Sequence, residues 1–79
     1  MKIQITKKRK EKEFRAVFIG QWFTLEDQIH LKITSTESFK IIEGQFHRIV
    51  WTTCKDYTYN FDAIVETGIE VEEIRFVIP

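Results

Sequence analysis

Ile29, Leu31 and Ile33 alternate with His30 and Lys32, and the same period of two recurs along most of the chain. Ile3 and Ile5 alternate with Lys2, Gln4 and Thr6, then Phe14, Ala16 and Phe18 with Arg15, Val17 and Ile19. His47, Ile49 and Trp51 share a face opposite Arg48, Val50 and Thr52, and Ile74, Phe76 and Ile78 share one before Pro79. Residues of a β-strand point alternately to opposite faces, so this period predicts strands. Composition agrees: Ile, Val and Thr fill 25 of 79 positions and aromatic residues 11 more, while Ala, Leu and Met supply five. Branched and aromatic side chains suit a pleated surface, and the strongest apolar helix formers are nearly missing.

Turn residues divide the pattern. Gly20 permits a bend before Trp22 and Phe23, and Glu26-Asp27 and Cys54-Lys55-Asp56 read as turns, the second leading into a strand with Tyr57, Tyr59 and Phe61. The expected fold is mainly β: a single small domain over residues 1–79, an antiparallel meander curled into a barrel or sandwich with one or two short helical turns. A basic N-terminal hairpin over residues 2–19 opens it, with residues 7–12 as its exposed loop. Burial should be deepest at Phe18, Leu31, Ile33, Ile49, Phe61 and Phe76.

Two stretches carry helical spacing. Phe39, Ile42, Phe46 and Ile49 recur at steps of three and four, and Thr34 with Glu37 has the spacing of a capping box. Together they describe an α+β alternative with a short helix over 35–43 ended by Gly44. A strand over 38–42, a Glu43-Gly44 turn and a strand from Gln45 account for the same residues as a hairpin, which is the preferred reading. Farther on, Phe61, Ile64 and Val65 share one face of a helical turn over 62–67, with Asp62 as its cap and Gly68 as its stop. Residues 57–64 resemble the last part of small bent barrels of the Src-homology-three or Sm kind, but contain no motif diagnostic of either, and no family is assigned.

Chemistry-bearing residues are sparse. Nucleophilic catalysis needs a Ser or Cys beside an oriented base. Ser35 and Ser38 fall in one connection without a glycine-flanked elbow, and Cys54 is seven residues from His47, about 23 Å along an extended strand. His30, His47 and Cys54 lack the paired spacing of zinc ligands. His47 reads as partly buried beside Ile49 and Trp51, His30 as a residue of the polar face beside Lys32, and Cys54 as a half-buried turn residue. Gly20, Gly44 and Gly68 stand alone, so no glycine-rich phosphate loop exists. No enzyme, cofactor or metal site is expected.

Charge is unevenly distributed. Residues 1–15 carry seven basic and two acidic groups, a net of +5, and residues 16–79 five basic and ten acidic, a net of −5. The acidic, aromatic-rich body predicts a non-enzymatic module that binds another protein, an adaptor or inhibitor of the kind that mobile elements and regulatory systems encode. Its acidic surface would comprise Asp62, Glu66, Glu70, Glu72 and Glu73, with Trp22, Phe23, Tyr57 and Tyr59 as aromatic anchors. The alternative is a nucleic-acid-binding small barrel in which Lys7, Lys8, Arg9, Lys10 and Lys12 meet phosphates and an aromatic stacks on a base. Against that, a pI of 6.7 is low for a dedicated nucleic-acid binder. Strand edges, including the one at Ile74, Phe76 and Ile78, suggest a homodimer. A single cysteine, no apolar run of spanning length and no signal-like start predict a cytoplasmic protein with no membrane partner.

Overall fold

In the computed structural model, which describes residues 2–73 and, of their side chains, those of residues 10–68, six strands form one antiparallel sheet. They are β1 (Lys2–Glu13), β2 (Trp22–Leu25), β3 (Gln28–Thr34), β4 (Glu37–Ile42), β5 (Gln45–Val50) and β6 (Ile64–Glu73), in the spatial order β1-β6-β2-β3-β4-β5. The mainly β expectation holds. Among the described residues the sheet is not closed into a barrel, and β1 and β5 are its two edges. The strand expected at Ile74, Phe76 and Ile78 lies outside the described residues.

β2 to β5 form a meander set by its turns. Leu25 pairs with Gln28 and Ile42 with Gln45, leaving two-residue loops. Glu26 and Asp27 have φ of 52° and 63°, and Glu43 and Gly44 of 51° and 76°. Two successive left-handed residues match the twist of the strands that they join. The hairpin reading of residues 38–45 is therefore correct and the helix over 35–43 is not formed. Ile41 pairs with Ile29 on one side and Phe46 on the other, so β4 is a central strand with a neighbour on each edge. Thr34 and Glu37 do meet, with Thr34 Oγ1 donating to Glu37 Oε1 at 3.2 Å, but around the β3–β4 turn.

Two further expectations are overturned. Residues 2–19 are not a hairpin: β1 runs unbroken through the basic stretch and pairs with β6. A single 3-10 turn, Phe14–Ala16, follows it in place of a strand. Lys10, Glu11, Lys12 and Glu13 find ladder partners in Thr67, Glu66, Val65 and Ile64, which a solvated loop would lack. The ladder breaks between the pairs Ile5–Ile69 and Lys10–Thr67, five steps along β1 against two along β6, and Lys7, Lys8 and Arg9 fall in that interval. Nor is there a helical turn over 62–67. Asp62 N–H donates to Asn60 Oδ1 at 3.0 Å in a turn, and β6 begins at Ile64.

The main core lies on one face, here called inner. After β5 the chain crosses this face as an irregular segment over 51–63, in place of the strand expected at Tyr57, Tyr59 and Phe61. An isolated bridge joins Thr52 and Asn60 within it, and Phe14 N–H donating to Ala63 O and Trp51 N–H to Thr36 O tie it to the rest of the fold. Phe14, Val17, Phe23, Trp51 and Val65 are buried together, with Phe14 stacked on Trp51 at 3.8 Å between ring centroids. On the outer face Ile29 and Ile41 form a second, smaller cluster with Trp22. The burial expectations miss this arrangement. Phe18 is 70 % exposed, Leu31, Ile33, Ile49 and Phe61 are half-buried, and Phe76 is outside the described residues.

Candidate functional site

β3 and β4 turn polar side chains inward. His30 and Lys32 on β3 and Ser38 on β4 are buried, although the sequence assigns His30 and Lys32 to the polar face. They survive because residues 51–63 and the 3-10 turn cover them with aromatic rings and bring partners. Trp51 Nε1 donates to Ser38 Oγ at 2.8 Å, and His30 Nδ1 lies 3.1 Å from the same oxygen. His30 Nε2, on the other side of the ring, is a buried atom without a hydrogen-bond partner. His30 stacks on Phe23 at 5.0 Å. Burial, and then the charge of Lys40, push its pKa down to about 4, so the ring is neutral at pH 7.

Lys32 is buried too. Its Nζ donates to Phe14 O at 2.9 Å and lies 4.4 Å from the Phe14 ring centroid, so the ammonium meets a carbonyl oxygen and a π face. Burial lowers its pKa. Lys40 Nζ donates to Tyr59 Oη at 3.0 Å. A serine beside an imidazole is the pairing that nucleophilic catalysis uses. Here both groups are fully buried and the serine oxygen is shared with an indole, so the arrangement packs the core and offers no approach to a substrate.

The accessible chemistry lies at the β1–β6 edge. The run Lys10-Glu11-Lys12-Glu13 is neutral in sequence, and the pleat sorts it. Lys10 and Lys12 take the inner face with Thr67 and Val65, and Glu11 and Glu13 the outer face with Glu66 and Ile64. On the outer face Glu66 also pairs with Thr24 of β2. It lines a cleft of about 220 Å³ with Thr24, Leu25, Glu26, Asp27 and Ile64, the last 54 % exposed. On the inner side Lys12 Nζ sits 5.1 Å from the centroid of the Phe18 ring. Phe18 and the 64 % exposed Ile19 occupy a turn closed by Gln21 N–H donating to Phe18 O at 3.0 Å. Gly20, at φ 89°, takes the turn position that requires a left-handed residue. Gly20 N–H donates to Lys32 O at 2.7 Å, which fastens the turn to β3.

The expected site residues scatter. Asp62 is not with the other acids: it binds Arg15 and lies 3.8 Å from Lys55 Nζ. Glu70 and Glu73 are at ladder positions opposite Gln4 and Lys2, and Glu72 is also within β6. Their side chains, like those of Lys7, Lys8 and Arg9, are outside the described set. Phe23 is fully buried and is no surface anchor, and Trp22 is half-buried against Ile29 and Ile41. Tyr57 is exposed and shares an open apolar cleft of about 240 Å³ with Val50, Thr52 and the half-buried Tyr59. His47 and Cys54 are exposed, contrary to expectation. Sequence reasoning passed over Phe18 by placing it in the core, although an aromatic two residues before a glycine was the available signal. Among the described residues no cluster of three or more His, Cys, Asp or Glu is arranged to hold a metal ion, and no helix is long and apolar enough to cross a membrane. No family model, curated protein or solved structure matches the chain.

Proposed function

We propose that this chain is a non-enzymatic protein-interaction domain, of adaptor or inhibitor type, whose contact surface is the acidic outer end of β1, β6 and the β2–β3 turn. The observation that supports it most is the gathering of Glu11, Glu26, Asp27 and Glu66 around exposed Ile64. Charges on paired strands and a tight turn are already ordered, so a partner binds them with less entropy loss than it would a flexible acidic tail. An apolar side chain inside a charged rim is the usual plan of a protein interface. The complementary partner is a protein surface with Lys or Arg around an apolar group. The test is capture from the native host by the full chain and by a variant carrying Glu11→Gln, Glu26→Gln and Glu66→Gln. A stoichiometric partner held by the parent chain, released by salt and lost with the variant is expected. Identical capture profiles for the two proteins refute the reading.

A further inference from the structure

Opposite the acidic surface, the inner side of the same edge has the complementary chemistry. Lys10 and Lys12 point to one side of an edge strand, two residues apart, about 7 Å along the chain. Neither has an ion pair among the described residues, whereas Arg15 nearby is held by Glu13 and Asp62. Phe18 stands beside Lys12 with most of its surface in solvent. Tight turns are ordinarily built from Gly, Asn, Asp, Ser and Pro, so an exposed Phe-Ile pair in one is not explained by turn chemistry. Val17 is buried just before the pair, so the chain is anchored in the core where the pair leaves it. The basic tract of Lys7, Lys8 and Arg9 continues β1 away from this point, where the ladder departs from regular pairing.

We infer that Phe18, Lys12 and Lys10 form a contact site for single-stranded nucleic acid, separate from the acidic protein-binding face. The Phe18 ring stacks on a base and the lysines contact the flanking phosphates. Stacking is insensitive to base identity because every base has a π face, and cationic strands that track the backbone are its usual companions. The neutral total charge does not oppose this, since the pleat turns Glu11 and Glu13 to the other face. A bilayer is the weaker reading, because even a myristoyl chain gives only marginal membrane binding and Phe18 with Ile19 offers less apolar surface than that.

Fluorescence anisotropy with the full chain and a labelled oligothymidylate of about 15 nucleotides tests the site. Saturable binding at about 50 mM salt that weakens steeply by about 200 mM is expected. Phe18→Ala should weaken it about tenfold, as loss of one stacked base does. Lys10→Gln with Lys12→Gln should weaken it and flatten the salt dependence by about 1.4 in log–log slope, two contacts at about 0.7 each for a single strand. Glu11→Gln with Glu13→Gln should bind no more weakly than the parent chain, and circular dichroism checks that each variant is folded. Three results overturn the inference. They are no saturable binding at the lower salt, unchanged affinity in the Phe18→Ala protein, or equal affinity for polyglutamate. The last would assign the patch to an acidic protein surface.

Discussion

The two faces of the sheet hold together by different means. The inner face is closed by the Phe14–Trp51 stack and the segment over 51–63, and beneath that cover it keeps His30, Lys32 and Ser38. The outer face has no such cover among the described residues, and its cluster is limited to Ile29, Ile41 and Trp22. The more apolar half of the β3 alternation is thus on the less deeply covered side. The comparison teaches that a face becomes core by what is laid over it: aromatic rings arriving from distant segments outweigh the polarity of the strand itself. Polar groups tolerate such a position when they find partners, as the indole N–H, the Ser38 hydroxyl and His30 Nδ1 do here, while His30 Nε2 is left without one.

Truncation measures this difference most directly. Phe14→Ala removes the ring on which Trp51, Phe23 and the Lys32 ammonium converge, and should cost about 3–5 kcal/mol in denaturant unfolding. Against a typical total of about 5–15 kcal/mol, that approaches unfolding. Leu31→Ala, on the outer face, should cost about 1 kcal/mol. Equal losses would break the comparison.

Protonation probes the inner face alone. His30 is at about 4 in the folded chain against 6.5 for the free side chain, so between those values the unfolded chain binds the additional proton. Stability from this group is therefore complete above about pH 6.5, falls as pH drops towards 4, and totals about 3 kcal/mol. Denaturation midpoints across that range check it, and His30→Gln should remove most of the slope. Ser38→Ala comes next, at about 1–3 kcal/mol, because it strands the Trp51 N–H and His30 Nδ1 in the core. Gly20→Ala has open space for its methyl group, so only backbone strain acts, roughly 1 kcal/mol. The smallest effect is expected from Glu11→Gln, within about 0.5 kcal/mol, since it touches only the exposed outer edge.

How much of this was legible in the sequence depends on what determines each element. The meander was legible because its turns and its alternation are local: Glu26-Asp27 and Glu43-Gly44 stand between runs with the period of strands. The start of β1 was legible in the alternation at Ile3 and Ile5, but its continuation was not, because Lys10, Glu11, Lys12 and Glu13 contain no apolar residue and become a strand only through the backbone offered by β6. The side on which β3 would bury its residues was also hidden. Alternation says that two faces differ, but the cover comes from Phe14 and Trp51, remote from β3 in the chain. The candidate site divides the same way. The charge asymmetry was visible as a count, whereas its separation onto two faces required the register of β1 against β6.

That register has a consequence for the order of assembly. β1 precedes the other five strands and, among the described residues, its ladder partner is β6, so it must wait while β2 to β5 are synthesised between them. The meander can close over its own short turns, while joining β1 to β6 requires a loop that spans nearly the whole chain, a slow step in a topology rich in distant contacts. Until then β1 is an unpaired strand in a crowded cell. Its dense, alternating charge is what keeps such a strand from pairing with the wrong neighbour, so the residues that give the finished protein its two charged faces also guard the nascent one.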